Sequence, residues 1–201
     1  MIKAVLFDLG NVLVPVDFRR CREALAEVCP HSPQDVQRIM GTSGLPRRYE
    51  QGEVTSEEFF ETTCRLLDMQ VTYEKFCAVW GEILSPDPLV PESLLESLAV
   101  SRRLVLLSNT NAMHFGQAEA RYPMLRHFHE FVLSFRVGAM KPDPRIYQHA
   151  IAAAGCPPSE CFFVDDLADN VDAARRAGID AAVFTSLDQL HADLQLRGVT
   201  Y

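Results

Sequence analysis

Five short apolar runs, separated by stretches with helical periodicity, constrain the fold of this chain more than any other feature. The runs cover residues 2–7, 104–107, 131–134, 161–164 and 181–184. Each is rich in strand-forming residues and nearly continuous in apolar character, as expected of a strand buried on both faces. Strands that alternate with helices favour right-handed crossovers and a parallel sheet. The sequence therefore predicts an α/β fold, a Rossmann-like parallel sheet with helices on both faces.

A long helical stretch separates the first run from the second. Residues 17–84 show helical periodicity and no convincing strand, and Thr55 with Glu58 forms a capping box at the start of one helix. Three prolines between residues 86 and 91 then interrupt the pattern. We therefore expect an inserted α-helical cap over residues 16–85 and a catalytic core built from residues 1–15 and 86–201.

Polar residues stand where four of the apolar runs end or lead into a turn. They are Asp8, then Ser108 and Asn109, then Lys141, and finally Asp165 and Asp166. Ligands of an open parallel sheet bind at the carboxyl ends of its strands, so these side chains are expected to meet. Any one of them alone is ordinary turn or helix-cap chemistry. Their ordered combination predicts an active site.

The predicted site combines carboxylates, a hydroxyl, an amide and an amine. Neighbouring carboxylates repel one another unless a cation lies between them, and an all-oxygen ligand set favours Mg²⁺. The lysine can neutralise a phosphate charge and keep a carboxylate nucleophile ionised. This set suits phosphoryl transfer, in which catalysis rests mainly on positioning and charge neutralisation.

Four segments carry a family resemblance that spans essentially the whole chain. They are residues 7–13 (FDLGNVL), 107–110 (LSNT), 140–147 (MKPDPRIY) and 163–170 (FVDDLADN). The chain resembles the haloacid dehalogenase-like superfamily, and within it the α-glucose-1-phosphate phosphatase branch. The resemblance implies a phosphatase in which Asp8 and Lys141 are catalytic and Ser108, Asn109 and Lys141 bind the phosphate.

The same resemblance implies a magnesium site. The metal is expected to be held by Asp8, Asp166 and the backbone carbonyl of Gly10. Asp165 is expected either to bind the metal with them or to lie directly behind the residues that bind it. Asp169 is expected to point outward.

Gly10 is a departure from the commonest pattern of the family. Most phosphatases of the superfamily carry a second aspartate at this position, which protonates the leaving group and later activates water. Gly10 has no side chain, and Asn11 cannot titrate. Because a general acid typically contributes 10²–10⁴-fold, its absence favours good leaving groups, such as the anomeric oxygen of a sugar 1-phosphate.

The residues leave two other functions open. A 2-haloacid dehalogenase would use the same aspartate to attack carbon without metal, although Asp165 and Asp166 together favour the metal-dependent reaction. A non-catalytic protein that binds a phosphorylated metabolite would also tolerate Gly10, although it would have no need of a nucleophile.

A few residues outside these motifs are candidates for lining the entrance or for acid catalysis. Tyr49 is expected near the entrance, Trp80 in the core of the cap, and Arg47 and Arg48 in solvent. His114 is expected on a helix surface, the commoner place for such a histidine.

Composition restricts the partners of the protein. The 201 residues carry a net charge of −8, with a pI of about 5.2, so the chain has no general attraction for nucleic acid or anionic membranes. We expect a cytoplasmic enzyme with a small-molecule phosphorylated substrate, as a monomer or a homodimer.

Overall fold

A five-stranded parallel sheet organises the computed structural model, which describes residues 1–201. The strands are β1 (Ala4–Phe7), β2 (Arg103–Ser108), β3 (Glu130–Leu133), β4 (Cys161–Asp165) and β5 (Asp180–Val183). Their order is β3-β2-β1-β4-β5, and every neighbouring pair is parallel. The predicted α/β fold is confirmed, and each of the five apolar runs forms a strand.

The register of the sheet brings three strand ends to the same level. Phe7 of β1 lies opposite Leu106 of β2 and opposite Val164 of β4. Asp8, one residue further, therefore lies beside the ends of both neighbouring strands. The central position of β1 places this aspartate in the middle of the carboxyl edge.

Eleven α-helices surround or follow the strands. They are α1 (Phe18–Ala26), α2 (Pro33–Ser43), α3 (Leu45–Glu50), α4 (Ser56–Leu66), α5 (Tyr73–Trp80), α6 (Glu92–Ala99), α7 (Ala112–Arg121), α8 (Ser134–Val137), α9 (Pro144–Ala154), α10 (Ala168–Arg176) and α11 (Leu187–Leu196). Helices α1–α5 all lie between β1 and β2 and are called the helical insert below. None of the helices combines the length and apolar character needed to cross a membrane.

Two separate apolar cores cover the two faces of the sheet. Val5 and Phe7 of β1 point into the larger core, which also contains the helical insert, α6, α7 and α11. Ala4 and Leu6 point into the smaller core against α9 and α10. Both faces of β1 are thus removed from water, which explains why its sequence is a continuous apolar run rather than an alternating one.

Side-chain hydrogen bonds attach the helical insert, and the segment that follows it up to Ser85, to α7 and to Tyr122 directly after α7. They join Met113 N–H to Tyr49 Oη, His114 Nε2 to the Trp80 carbonyl, Gln117 Nε2 to the Cys77 carbonyl, Arg121 to the Leu84 carbonyl and Tyr122 Oη to the Ser85 carbonyl. Each such bond contributes about 0.5–1.5 kcal/mol net. Movement of the insert as one body away from α7 would have to break the three bonds at Tyr49, Cys77 and Trp80.

Gly52, between α3 and α4 of the helical insert, lies against the backbone of Phe135 in α8. Its φ is +72°, and a Cβ atom here would lie 2.2 Å from the Phe135 carbonyl oxygen. Gly52→Ala should therefore combine left-handed strain with a clash against backbone and lower the free energy of unfolding by more than about 1 kcal/mol. Thermal melting checks this prediction.

Gly44→Ala provides a matched control for that substitution. Gly44 also has a left-handed φ, +65°, but no atom lies within 4 Å of a Cβ built there. The strain is common to both variants and the clash is not, so Gly52→Ala should melt at the lower temperature. Equal melting temperatures would contradict the importance of the contact with Phe135.

Candidate active site

Four predicted site residues lie together at the carboxyl edge of the sheet. Asp8 follows β1, Asp165 ends β4 and Asp166 comes directly after it. Lys141, from the segment between α8 and α9, places its amine 2.8 Å from Asp8 Oδ1 and 2.7 Å from Asp165 Oδ2. The structure thus joins residues that are up to 158 positions apart in the sequence.

The Lys141 amine has three oxygen partners inside this cluster. Its side chain is 1% exposed, and its Nζ donates to the Leu107 carbonyl as well as to Asp8 and Asp165. Burial alone would lower the pKa of Lys141, but the two carboxylates outweigh it and raise that pKa above its ordinary value. The amine therefore carries its positive charge at neutral pH.

Asp8 keeps one of its two oxygens free of protein donors. Its Oδ1 accepts from Lys141 and from the Leu9 N–H at 2.7 Å, and its Oδ2 accepts no hydrogen bond. Burial raises the pKa of Asp8 to about 6, with Lys141 opposing the shift and Asp165 adding to it. The carboxylate is ionised above that pH and has an oxygen available for chemistry.

Asp165 differs from Asp8 because protein donors occupy both of its oxygens. Oδ1 accepts from the Leu167 N–H and from Asn170 Nδ2, both at 2.9 Å, while Oδ2 accepts from Lys141. Asp165 is completely buried. This carboxylate is therefore placed to fix the lysine amine.

Asp166 is half-buried and has a single polar contact in the protein. Its Oδ2 accepts from Asn11 Nδ2 at 3.2 Å. Asn11 adopts a left-handed φ of 54°, and its Oδ1 accepts from the Val16 N–H. The backbone turn after β1 thus orients a carboxylate from the turn after β4.

The three carboxylates lie close together. One oxygen from each of Asp8, Asp165 and Asp166 lies within 4.8 Å of the other two. With Lys141 as the only cation in contact, the ionised cluster carries a net charge of −2. An oxygen-rich site with excess negative charge fits a hard divalent cation such as Mg²⁺.

Ser108 and Asn109, two of the predicted phosphate-binding residues, differ in the contacts of their side chains. Ser108 ends β2 and is buried. The Asn109 side chain binds the Lys141 backbone at both ends, donating to its carbonyl at 2.9 Å and accepting from its N–H at 2.8 Å. These two bonds use the amide group of Asn109, so its side chain positions Lys141.

His114 is buried, so its predicted position on a helix surface is wrong. Its Nε2 donates to the Trp80 carbonyl and its Nδ1 accepts from Asn111 Nδ2, both at 3.0 Å. Burial lowers its pKa to about 4, although the Trp80 carbonyl opposes the shift. A neutral imidazole with both nitrogens engaged has no proton to offer a leaving group.

The other residues of the insert that were considered for the entrance differ in how far they are exposed to solvent. Tyr49 is 2% exposed, so its predicted place at an entrance is wrong, and its hydroxyl instead bonds to Ser56 and Met113. Trp80 packs against other aromatic rings of the insert core, as expected. Arg47 and Arg48 are exposed.

Asn11 and Asn170 were not predicted as members of the site. Each lies within one of the four motif segments, but no local pattern shows that either one bonds a carboxylate. Asp169, by contrast, is exposed as expected.

Comparison with known proteins agrees with this geometry. A model of haloacid dehalogenase-like hydrolases matches residues 2–178. A D-ribitol-5-phosphate phosphatase of Bacteroides thetaiotaomicron is 25% identical over 186 residues, which cover 90% of each chain. An (S)-2-haloacid dehalogenase of Pseudomonas sp. (strain YL) is 29% identical over 186 residues, covering 88% of this chain and 80% of the relative.

A solved structure extends the likeness to three dimensions. A haloacid dehalogenase family enzyme from Bacteroides thetaiotaomicron, in complex with magnesium and inorganic phosphate, superimposes with a TM-score of 0.82 at 27% identity. The match covers 93% of this chain and 96% of that enzyme. With a family match over most of its length and this carboxylate–lysine cluster, the chain belongs to the haloacid dehalogenase-like family and is a hydrolase.

Proposed function

We propose that the protein is a magnesium-dependent phosphatase that hydrolyses a small phosphorylated carbohydrate through an aspartyl-phosphate at Asp8. The observation that carries the proposal is the buried Lys141 amine, which binds one oxygen of Asp8 and leaves the other free. The relative that acts on ribitol 5-phosphate and the solved enzyme with magnesium and phosphate support it.

The metal would be held by Asp8, Asp166 and the Gly10 carbonyl. Asp165 has both oxygens occupied by protein donors, which favours a positioning role beside the metal rather than direct ligation. When bound, Mg²⁺ supplies positive charge that balances the carboxylates and the phosphate oxygens. Lys141 adds a fixed positive charge 2.8 Å from Asp8 Oδ1.

The reaction proceeds in two displacements at phosphorus. An oxygen of Asp8 forms a bond to phosphorus while the bond from phosphorus to the leaving oxygen breaks, and the leaving oxygen takes a proton from solvent. A water molecule then attacks the phosphorus and gives a proton to the departing phosphate, while the bond from phosphorus to Asp8 breaks and restores the carboxylate. Lys141 neutralises charge on the phosphoryl oxygens, and Ser108 at the end of β2 is placed to hydrogen-bond them.

The helical insert would serve as the cap of the site, with residues 16–85 as the inserted domain and residues 1–15 and 86–201 as the catalytic core. Its hydrogen bonds to α7 support a cap that stays in contact with the core. A fixed cap selects substrates by the shape and polarity of its inner wall.

The phosphatase assay that tests the proposal uses Mg²⁺ and a panel of glucose 1-phosphate, glucose 6-phosphate, ribitol 5-phosphate and acetyl phosphate. We expect phosphate release that EDTA abolishes and added Mg²⁺ restores. Chloride release from 2-chloropropionate, unaffected by EDTA, would instead establish a dehalogenase. Tight binding of a sugar phosphate without any turnover would indicate a non-catalytic protein.

Gly10 allows a direct test of the preference for sugar 1-phosphates. If the missing acid restricts the enzyme to good leaving groups, Gly10→Asp should raise the rate on glucose 6-phosphate relative to glucose 1-phosphate, by about 10-fold or more. A Cβ at this position would lie 3.0 Å from Val16 Cγ2, so that one methyl group must shift.

Gly10→Asn is the matched control, since it has the same size and no titratable proton. The ratio of the two rates separates proton donation from crowding. An equal ratio in both variants and in the wild type would contradict the leaving-group explanation.

A further inference from the structure

Two cysteine side chains lie against each other at the start of β4. Cys156 follows α9 and Cys161 is the first residue of β4, and their sulfur atoms are 3.5 Å apart. Both are free thiols. A disulfide bond joins sulfurs about 2 Å apart, so a modest side-chain rotation separates this contact from a bond.

The segment between the two cysteines has little freedom to separate them. It contains Pro157, and residues Pro158–Glu160 form one turn of 3₁₀ helix. The end of the segment is fixed to the sheet, because the Lys3 N–H donates to the Glu160 carbonyl at 2.8 Å. The Cys161 thiol also donates to the Pro157 carbonyl. Two reacting groups that are held in contact in this way have a high effective concentration.

The two thiols differ in their access to solvent. Cys156 is half-buried, whereas Cys161 is completely buried. Burial raises the pKa of Cys161 to about 12, and its hydrogen bond with Cys156 adds to the shift. Because the thiolate is the reactive form and Cys161 is shielded from solvent, a reagent in solution meets Cys156 first. Cys161 then reacts through Cys156.

We propose that Cys156 and Cys161 form a reversible redox site, which a small-molecule disulfide such as oxidised glutathione converts into an internal disulfide. The Cys156 thiolate attacks one sulfur of the reagent and expels the other as a thiolate, which leaves a mixed disulfide on Cys156. The Cys161 thiol then attacks the Cys156 sulfur, and its proton leaves with the second half of the reagent as a thiol. The two cysteines lose two electrons, and the reagent gains them as it becomes two thiols.

The redox site lies at the opposite end of β4 from the candidate active site. Cys161 begins the strand and Asp165 ends it. At about 3.3 Å per residue the two are about 13 Å apart, so oxidation should change the rate of phosphate release by less than about 2-fold. The new bond restricts the unfolded chain, and the oxidised protein should therefore melt about 4–8 °C above the reduced protein.

Peptide mapping after incubation of the folded protein with oxidised glutathione tests the proposal. The tryptic peptide of residues 146–175 contains Cys156 and Cys161 and no other cysteine. From reduced protein, iodoacetamide should add two groups to this peptide. From oxidised protein it should add none, and the peptide should be lighter by two hydrogen atoms. Dithiothreitol should restore both alkylation sites.

Single substitutions separate the two steps of the reaction. Cys161→Ser should stop at the mixed disulfide, so peptide 146–175 should keep one glutathione. Cys156→Ser, at a half-buried position that tolerates the change, should leave Cys161 as a free thiol. Cys29→Ser is the matched control, because Cys29 is another half-buried thiol outside the pair, and this variant should form the internal disulfide as the wild type does.

The redox site would be wrong if the wild-type peptide still accepted two groups after oxidation, or if it kept a glutathione. An internal disulfide that left the melting temperature unchanged, or that lowered phosphate release more than about 2-fold, would overturn its assignment as a stabilising bond remote from the active site. Mapping and melting need no substrate, so their outcome is independent of the proposed function.

Discussion

Asp8→Asn is expected to lower Mg²⁺-dependent phosphate release by at least about 10³-fold, because an amide oxygen is a poor nucleophile for phosphorus. The structure supplies the reason why no other group replaces it. Asp165 is saturated by its three donors, and Asp166 is held by Asn11. Neither has the pairing with a buried lysine and a free oxygen that characterises Asp8. Steady-state phosphate release measures the loss.

Asp169→Asn is the control for that substitution. Asp169 is exposed and belongs to the same acidic segment, so its loss changes the charge of the chain equally without touching the cluster. It should retain wild-type activity. If both variants lost activity equally, the effect would come from the acidic surface and Asp8 would have no special role.

Chemical trapping extends the same prediction to the intermediate. Wild-type protein quenched in acid during turnover should carry one phosphoryl group on the peptide that contains Asp8. Hydroxylamine, which cleaves acyl phosphates, should remove that phosphoryl group. Asp8→Asn should carry none. A phosphoryl group on another peptide would contradict the assignment of the nucleophile.

Stability gives an independent readout for Asp8 without metal. Burial raises its pKa to about 6, so the folded protein holds this proton more tightly than the unfolded chain does. Between the unfolded pKa, near 4, and pH 6 stability is therefore lost as the pH rises. In EDTA at pH 8, Asp8→Asn should melt no lower than the wild type, and Mg²⁺ should raise the melting temperature of the wild type more than that of the variant.

The fold was predictable because its determinants are local. The strand β1 is buried on both faces, so its residues are continuously apolar. Helix α4 begins at the capping box of Thr55 and Glu58, and both bonds of that box form. The boundary between α2 and α3 was harder to predict from the sequence. It lies at a single residue, Gly44, which ends one helix and begins the next.

The members of the site were predictable because strand ends converge, whereas their contacts were not. Asn109 stands beside Ser108 in a motif, but its side chain binds the backbone of a residue 32 positions away. Likewise, Asn11, whose backbone is left-handed, bonds the Asp166 carboxylate 155 positions away. Such contacts follow from tertiary packing and leave no periodic signal.

The burial of His114 was also not predictable from its own helix. The hydrophobic periodicity of α7 does not distinguish a polar face in solvent from one that the helical insert covers. The insert comes from a distant part of the sequence, and its Trp80 covers the imidazole. Burial of polar residues at such contacts is decided by the partner, so the sequence of the helix alone predicts it poorly.

Lys141→Met is expected to abolish activity and also to destabilise the protein, by about 3–5 kcal/mol at pH 8. The amine is the only cation in contact with Asp8 and Asp165, and both carboxylates are largely removed from water. Its loss leaves two neighbouring buried charges without compensation. For a chain of this size, the melting temperature should fall by roughly 6–20 °C. Lys75→Met, which changes an exposed lysine, should leave both activity and melting temperature unchanged.

The pH dependence separates this charge effect from a simple packing defect. Lys141 lowers the pKa of Asp8 by its charge and its hydrogen bond, so without it Asp8 binds a proton more readily in the folded state, and the stability deficit of Lys141→Met should shrink as the pH falls from 8 to 5. A packing defect would be the same at both values. The double variant Lys141→Met/Asp165→Asn removes one of the two uncompensated charges and should recover part of the stability without recovering activity. A deficit that is independent of pH and unchanged in the double variant would show that Lys141 acts by its size, and the electrostatic account of the cluster would be wrong.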